Sequence, residues 1–290
     1  MRHPLLNWFF YGHFQIALAA TGLGWVSVRR AGVTEEFSDL FPILAFLFLS
    51  TLGVYTLHRL LSFRRAGERP QSQRYNLVAV HPGTSLGIGA VSIIAASIIG
   101  LSFLPVIWPV LLWAVPLTVF YLTPPLPGWR RLRDIPYLKS VWVALSWTLM
   151  THILPIRILT ENNPDLLNEY IYYQELIARL LFTGSIAILF DFRDIVLDHS
   201  QGVKTIAGQY PKIARIVVTL AMVLNIILIS GVIKMNIVYP VLSSLVYGAV
   251  VVTAWLTNQR RSEAWYAVVV NGLLLGPTVA MLLLAVADTA

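Results

Sequence analysis

The sequence predicts an all-α membrane protein of nine transmembrane helices in a single domain spanning residues 1–290, and three observations lead there. The chain has 290 residues, of which 57% are hydrophobic and only 12% charged, whereas soluble domains carry about 25% charged residues. No soluble fold of this length has a core large enough to hide that much apolar surface. The apolar residues are gathered into stretches long enough to cross a bilayer, at about 20 residues per helix. The basic residues, finally, alternate between the two sides of the stretches they separate. A soluble enzyme, a disulfide-stapled secreted domain and a disordered chain are excluded. With no cysteine in the sequence, disulfides, thiolate metal sites and cysteine nucleophiles are excluded too. The net charge of +7 is better explained by the positive-inside bias than by nucleic-acid binding.

Taken in order, the apolar stretches cover 5–28, 40–61, 84–104, 106–122, 138–156, 170–190, 213–233, 237–257 and 265–286. The first begins MRHPLLNWFF, which lacks the cleavage pattern of a secretory signal and reads as a retained span. The fourth is interrupted by Pro105, Pro109 and Pro116, which membrane bundles tolerate. Sixteen of the 21 Lys and Arg residues fall at the N-terminus or after spans 2, 4, 6 and 8: Arg2; Arg59, Arg64, Arg65, Arg69, Arg74; Arg130, Arg131, Arg133, Lys139; Arg193, Lys204, Lys212, Arg215; Arg260, Arg261. Arg29, Arg30, Arg157 and Lys234 fall on the other side, and Arg179 lies inside span 6. This partition places the N-terminus in the cytoplasm, and a bacterial cytoplasmic (inner) membrane is the expected location.

Within the spans, Glu175 and Arg179 sit four residues apart with the acid first, the favoured order for an intrahelical ion pair. His13, Asn225 and Asn271 are expected to make interhelical hydrogen bonds, and Gly87 and Gly89 with Ala90 to permit close helix packing. Such ionisable residues near mid-membrane are too scarce to favour a transporter.

The carboxylates are scattered, apart from one cluster. Asp191, Asp194 and Asp198 fall within about a 60° arc of a helix at 100° per residue. They lie at the C-terminal end of span 6, where the helix dipole is negative and each acid costs about 0.3–1 kcal/mol. A cationic partner is therefore required. One reading is a solvated loop neutralised by Arg193, Lys204 and neighbouring basic residues. The other is a Mg²⁺ site of one or two carboxylates completed by substrate phosphates.

This cluster opens the run D-F-R-D-I-V-L-D-H-S-Q-G-V-K-T-I-A. It resembles the second aspartate-rich motif of the UbiA-type intramembrane prenyltransferases, N-D-I-R-D-x-x-x-D-R-x-x-G-x-x-T-L/I-A. Asp191, Arg193, Asp194, Asp198, Gly202, Thr205 and Ala207 match, and Val196 replaces a frequent acid. The resemblance implies a nine-helix fold, Mg²⁺ held by Asp191, Asp194 and Asp198, and a prenyl diphosphate donor with a hydrophobic, quinone-precursor type acceptor. It also implies a Tyr and a basic residue after span 4, for which Tyr121 with Arg130, Arg131 or Lys139 is similar. An interfacial Tyr among ordinary positive-inside charges is the alternative reading.

The first motif of that family, N-D-x-x-D-x-x-x-D, departs here. His58-Arg59 takes the Asn-Asp position, with Ser62 and Ala66 in place of the later acids. Arg59, Arg64, Arg65, Arg69 and Arg74 are candidates to clamp a diphosphate directly, since guanidinium binds phosphate oxygens bidentately. Arg193, Lys204, Arg131 and Lys139 join them as diphosphate candidates, and His58 and Tyr121 as substrate-binding candidates. Trp142, Trp147, Phe120 and Tyr121 are candidates to shield a developing carbocation. No general base stands out beyond His58 and His199. The implied function is prenyl transfer to an aromatic or other lipid acceptor, the alternative a non-catalytic relative that binds lipid or assists assembly.

Overall fold

The computed structural model describes residues 4–32, 37–65, 73–161, 164, 168–230 and 238–287. The backbone described there is entirely helical apart from turns and loops. Its α-helices are α1 (Pro4–Tyr11), α2 (Phe14–Arg30), α3 (Phe37–Arg65), α4 (Gln73–Val80), α5 (Pro82–Leu122), α6 (Lys139–Thr148), α7 (Leu154–Thr160), α8 (Glu169–Ser200), α9 (Ile206–Gln209), α10 (Pro211–Ser230), α11 (Val238–Leu256) and α12 (Asn271–Ala287). Short π-helical turns at Leu149–Ile153 and Trp265–Val270 join α6 to α7 and lead into α12. Among the described residues six helical segments are long and apolar enough to cross a membrane: Ser38–Arg64, Pro82–Leu122, Lys139–Thr160, Pro211–Ser230, Val238–Leu256 and Trp265–Val286. The chain is an integral membrane protein.

Four expected spans take another form. The first divides into α1 and α2 at His13, whose φ of 70° is left-handed. Gly12 immediately before it packs its backbone against Trp8. The sixth is α8, whose N-terminal third carries Glu175 and Arg179 and so lacks a uniformly apolar run. The third and fourth are merged in α5, 41 residues that are helical throughout. A straight helix of that length would measure about 60 Å, twice the hydrocarbon core.

Instead, α5 doubles back. Its first half runs antiparallel to α3, with Gly89 against Leu57 and Gly100 against Phe46. Its second half runs antiparallel to the α6–α7 segment. Val106 accepts a hydrogen bond from Arg157 (2.7 Å), and Tyr121 ends in the electrostatic reach of Lys139. Pro105 stands where the two halves meet, consistent with proline's disruption of a continuous helical ladder. Gly89 serves the expected close packing, since a β-carbon there would meet Leu57 at 2.8 Å. Gly87 does not, because its surroundings are open.

The main core joins α2, α8, α10, α11 and α12 through Leu23, Leu189, Met222, Val250 and Ala280, all buried. Large apolar side chains such as Val91, Ile98, Leu112 and Leu220 face outward, as a lipid-facing surface requires. Several buried polar groups are paired across helices, which offsets the several kcal/mol that an unsatisfied one costs in hydrocarbon. Glu175 pairs with Arg179 as expected (3.1 Å) and also with Arg30, 145 residues earlier in the sequence. Arg179 further donates to Ser27 Oγ (2.8 Å) and Leu23 O (2.9 Å). Asn225 donates to Ala178 O across α10 and α8 (3.2 Å), as its position suggests.

Candidate functional site

A cavity of about 800 Å³ opens between α2, α3, α5, α6, α8 and α12. Along α3 it extends from Phe46 to Arg59, a rise of about 20 Å at 1.5 Å per residue. Most of its wall is aliphatic, from Ala96, Gly100, Leu104, Ile107, Leu111 and their neighbours. Charge is confined to one end, where His58 and Arg59 of α3, Tyr121 of α5, Lys139 of α6, and Asp191, Arg193 and Asp194 of α8 meet Glu263.

The local sequence explains how these groups are held. Gly202, with φ of 69°, ends α8: Gly202 N–H donates to His199 O (3.1 Å) and Val203 N–H to Asp198 O (2.8 Å). This is the pattern by which a left-handed residue satisfies the last helical carbonyls. Thr205 then caps α9, its Oγ1 accepting from Gly208 N–H (3.0 Å), and Ala207 enters the core. The non-aspartate positions of the motif thus build the turn behind the cluster. The loop before α6 is fastened to the same turn, because Tyr137 N–H donates to Lys204 O (2.8 Å) with Tyr137 itself left-handed at φ 65°.

The three aspartates converge as their helical spacing predicts, and the group they converge on is Lys139. Its Nζ lies 3.0 Å from Asp191 Oδ1, 3.7 Å from Asp194 Oδ2 and 2.5 Å from Asp198 Oδ2. Arg133 reaches the other Asp198 oxygen at 3.1 Å. Arg193 grips both oxygens of Asp194 at 2.9 and 3.2 Å and stacks over the Phe190 ring at 4.7 Å. Three carboxylates therefore face three cations.

The remaining candidates divide by position. His58, Arg59, Tyr121, Lys139, Arg193, Asp191 and Asp194 line the cavity, while Asp198 lies behind Lys139. Arg59 stacks on Tyr75 at 5.5 Å and Arg133 on Tyr121 at 5.9 Å. Arg64 and Lys204 are exposed and off the cavity lining. Arg131 and Arg130 are also off it, Arg131 being engaged with Asp134 at 2.7 Å. The side chains of Arg65 and Arg74, and all of Ala66 and Arg69, lie outside the described residues. Of the aromatic candidates Trp142, Trp147 and Tyr121 line the cavity and Phe120 does not; His199 is exposed away from it. Trp147 donates its indole N–H to the Tyr55 hydroxyl in the wall (2.9 Å).

Two residues expected only to hold helices together belong to the cavity. His13 and Asn271 both line it, and His13 Nε2 and Asn271 Oδ1 are buried without a partner among the described residues. Arg133 was legible only as one more basic residue of its loop, and Glu263 as an isolated acid.

The donor set has the chemistry of a hard divalent-cation site, all carboxylate oxygens converging from one helix face. Among the described residues, however, no group of three or more His, Cys, Asp or Glu side chains is arranged to hold a metal ion as it stands, because the carboxylates are drawn around an ammonium.

The cavity is thus apolar along most of its length and charged at one end. No family model matches the sequence, and no curated protein matches it. The fold is similar to the apo structure of a UbiA homolog from Aeropyrum pernix K1, with a TM-score of 0.72 at 11% identity, covering 96% of this chain and 99% of that one. The chain has a UbiA-like fold.

Proposed function

We propose that the protein is a UbiA-superfamily prenyltransferase that receives an allylic prenyl diphosphate in this cavity and passes the prenyl group to an aromatic or other lipid acceptor. The observation that carries this reading is the division of one cavity into a long aliphatic tunnel and a charged end. The tunnel accommodates an isoprenoid chain, and Arg59, Arg193 and Lys139 stand where its diphosphate would lie. Nine passages result if α1–α2 and α6–α7 each cross once and α5 twice, with the N-terminus in the cytoplasm.

Mg²⁺ held by Asp191 and Asp194, with Asp198 behind them, would neutralise charge on the departing diphosphate. The chain's own cations stabilise the same charge as the allylic C–O bond breaks. Positive charge then develops on the allylic carbon, and the faces of Tyr55, Trp147 and Trp142 offer it π-electron density. The aliphatic wall keeps water from that carbon while the acceptor attacks.

A second reading, a non-catalytic lipid-binding relative, is favoured by α3, where His58, Arg59 and Ser62 stand in place of acids. Purified protein in nanodiscs, supplied with radiolabelled allylic diphosphates of several chain lengths and a panel of aromatic acceptors, separates the two. Labelled product that disappears in Asp191→Asn supports transfer. Diphosphate binding without product supports the second reading, and absence of both overturns each.

A further inference from the structure

Five of the six oxygens of Asp191, Asp194 and Asp198 are already met by a cation of the protein: two by Lys139, one by Arg133 and two by Arg193. Arg193 and Arg133 approach from the rim, each stacked on an aromatic ring. Lys139 alone touches all three carboxylates, from the position a bridging cation would take. It also lines the cavity, so a ligand that enters can reach it directly. Its flexible four-carbon stem and rotatable ammonium allow it to exchange one anionic partner for another without movement of the backbone.

We propose that Lys139 is a tethered counter-ion which fills the carboxylate cluster while the cavity is empty and leaves it for the diphosphate when a divalent cation arrives. The inference rests on the reading of the site as one for a metal–diphosphate. Metal and diphosphate then bind with positive coupling. The diphosphate gives Lys139 a new partner, and so frees the carboxylates for the metal; by linkage each raises the other's affinity by the same factor.

The test is the affinity of Mn²⁺ for the full-length protein in detergent, measured by calorimetry with and without inorganic pyrophosphate. Wild type is expected to bind Mn²⁺ weakly alone and more tightly with pyrophosphate. Lys139→Gln is expected to bind Mn²⁺ alone about tenfold or more tightly than wild type, because a competing charge within about 4 Å is gone. Its melting temperature should rise on adding Mn²⁺. Lys139→Arg keeps the charge and should stay near wild type. Lys139→Gln with Asp198→Asn removes one charge of each sign, which protects the fold, and should still bind Mn²⁺ more tightly than wild type through Asp191 and Asp194. Equal Mn²⁺ affinity in wild type and both Gln variants, with pyrophosphate still bound, overturns the counter-ion role and leaves the site reading intact. Failure of wild type to bind pyrophosphate with Mn²⁺ overturns the site reading itself, and the counter-ion role with it.

Discussion

Lys139 and Asp198 meet at 2.5 Å, and each stands at the unfavourable end of its own helix. Lys139 is the first residue of α6, where the helix dipole is positive, and Asp198 lies in the last turn of α8, where it is negative. Neither charge is favoured locally. Each is held there by the other, together with Asp191 and Arg133, so the ion pair fastens the start of α6 to the end of α8.

Asp198→Asn is accordingly expected to destabilise the fold by about 3 kcal/mol or more, as the loss of one partner of a buried pair does. Asp194 is more exposed and held mainly by Arg193, so Asp194→Asn should cost less. Thermal melting of the two variants in one detergent gives the order directly; a larger loss in Asp194→Asn would contradict the assignment of Asp198 as the structural member.

At the other end of the bundle, Glu175 bridges Arg30 and Arg179, one carboxylate oxygen to each. Glu175→Gln leaves two buried guanidinium groups facing one another, at an expected cost of about 3–5 kcal/mol. Pyrophosphate binding at 0.1 M salt should be unaffected in the protein that remains folded, since the network lies outside the cavity lining.

Helix α2 approaches α12 through Gly22. A β-carbon there would fall within 2.7 Å of Thr278 Cγ2 and closer still to its hydroxyl. Gly22→Ala should destabilise by about 1–3 kcal/mol through overpacking, whereas Gly248→Ala, in open space, should not. The two melting temperatures distinguish helix contact from a general effect of losing glycine.

Ala96 lines the aliphatic part of the cavity, away from the charged end. Ala96→Phe is expected to shorten the longest prenyl diphosphate bound, while affinity for pyrophosphate itself stays unchanged. Competition of chain-length variants against a labelled diphosphate would show it; a uniform loss for every length would mean that the tunnel does not hold the chain.

Much of this fold was legible because lipid imposes long, uniform apolar runs, and these announce α3, α10, α11 and α12 plainly. The break at His13 was announced more weakly, by Gly12 beside it, since one glycine within an apolar run seldom interrupts a helix. The convergence of the aspartates followed from helical spacing alone. Their partner did not, because Lys139 lies 59 residues before Asp198 and no local period links them. Arg30 and Glu175, 145 residues apart, show the same limit: spacing within one helix revealed Arg179, whereas the second arginine comes from a different helix. His13 and Asn271 look like ordinary interhelical polar residues until the fold places an empty space beside them.

The reversal inside α5 bears on how the chain enters its membrane. Two passages normally bring a hydrophilic connection that must be carried across the bilayer or held back from it. Here the connection is the uncharged, mostly apolar sequence Gly100-Leu101-Ser102-Phe103-Leu104-Pro105-Val106, whose Val106 carbonyl is met by the Arg157 guanidinium. Residues 82–122 can therefore partition from the translocation machinery into lipid together, as one greasy hairpin, without translocating a single charge.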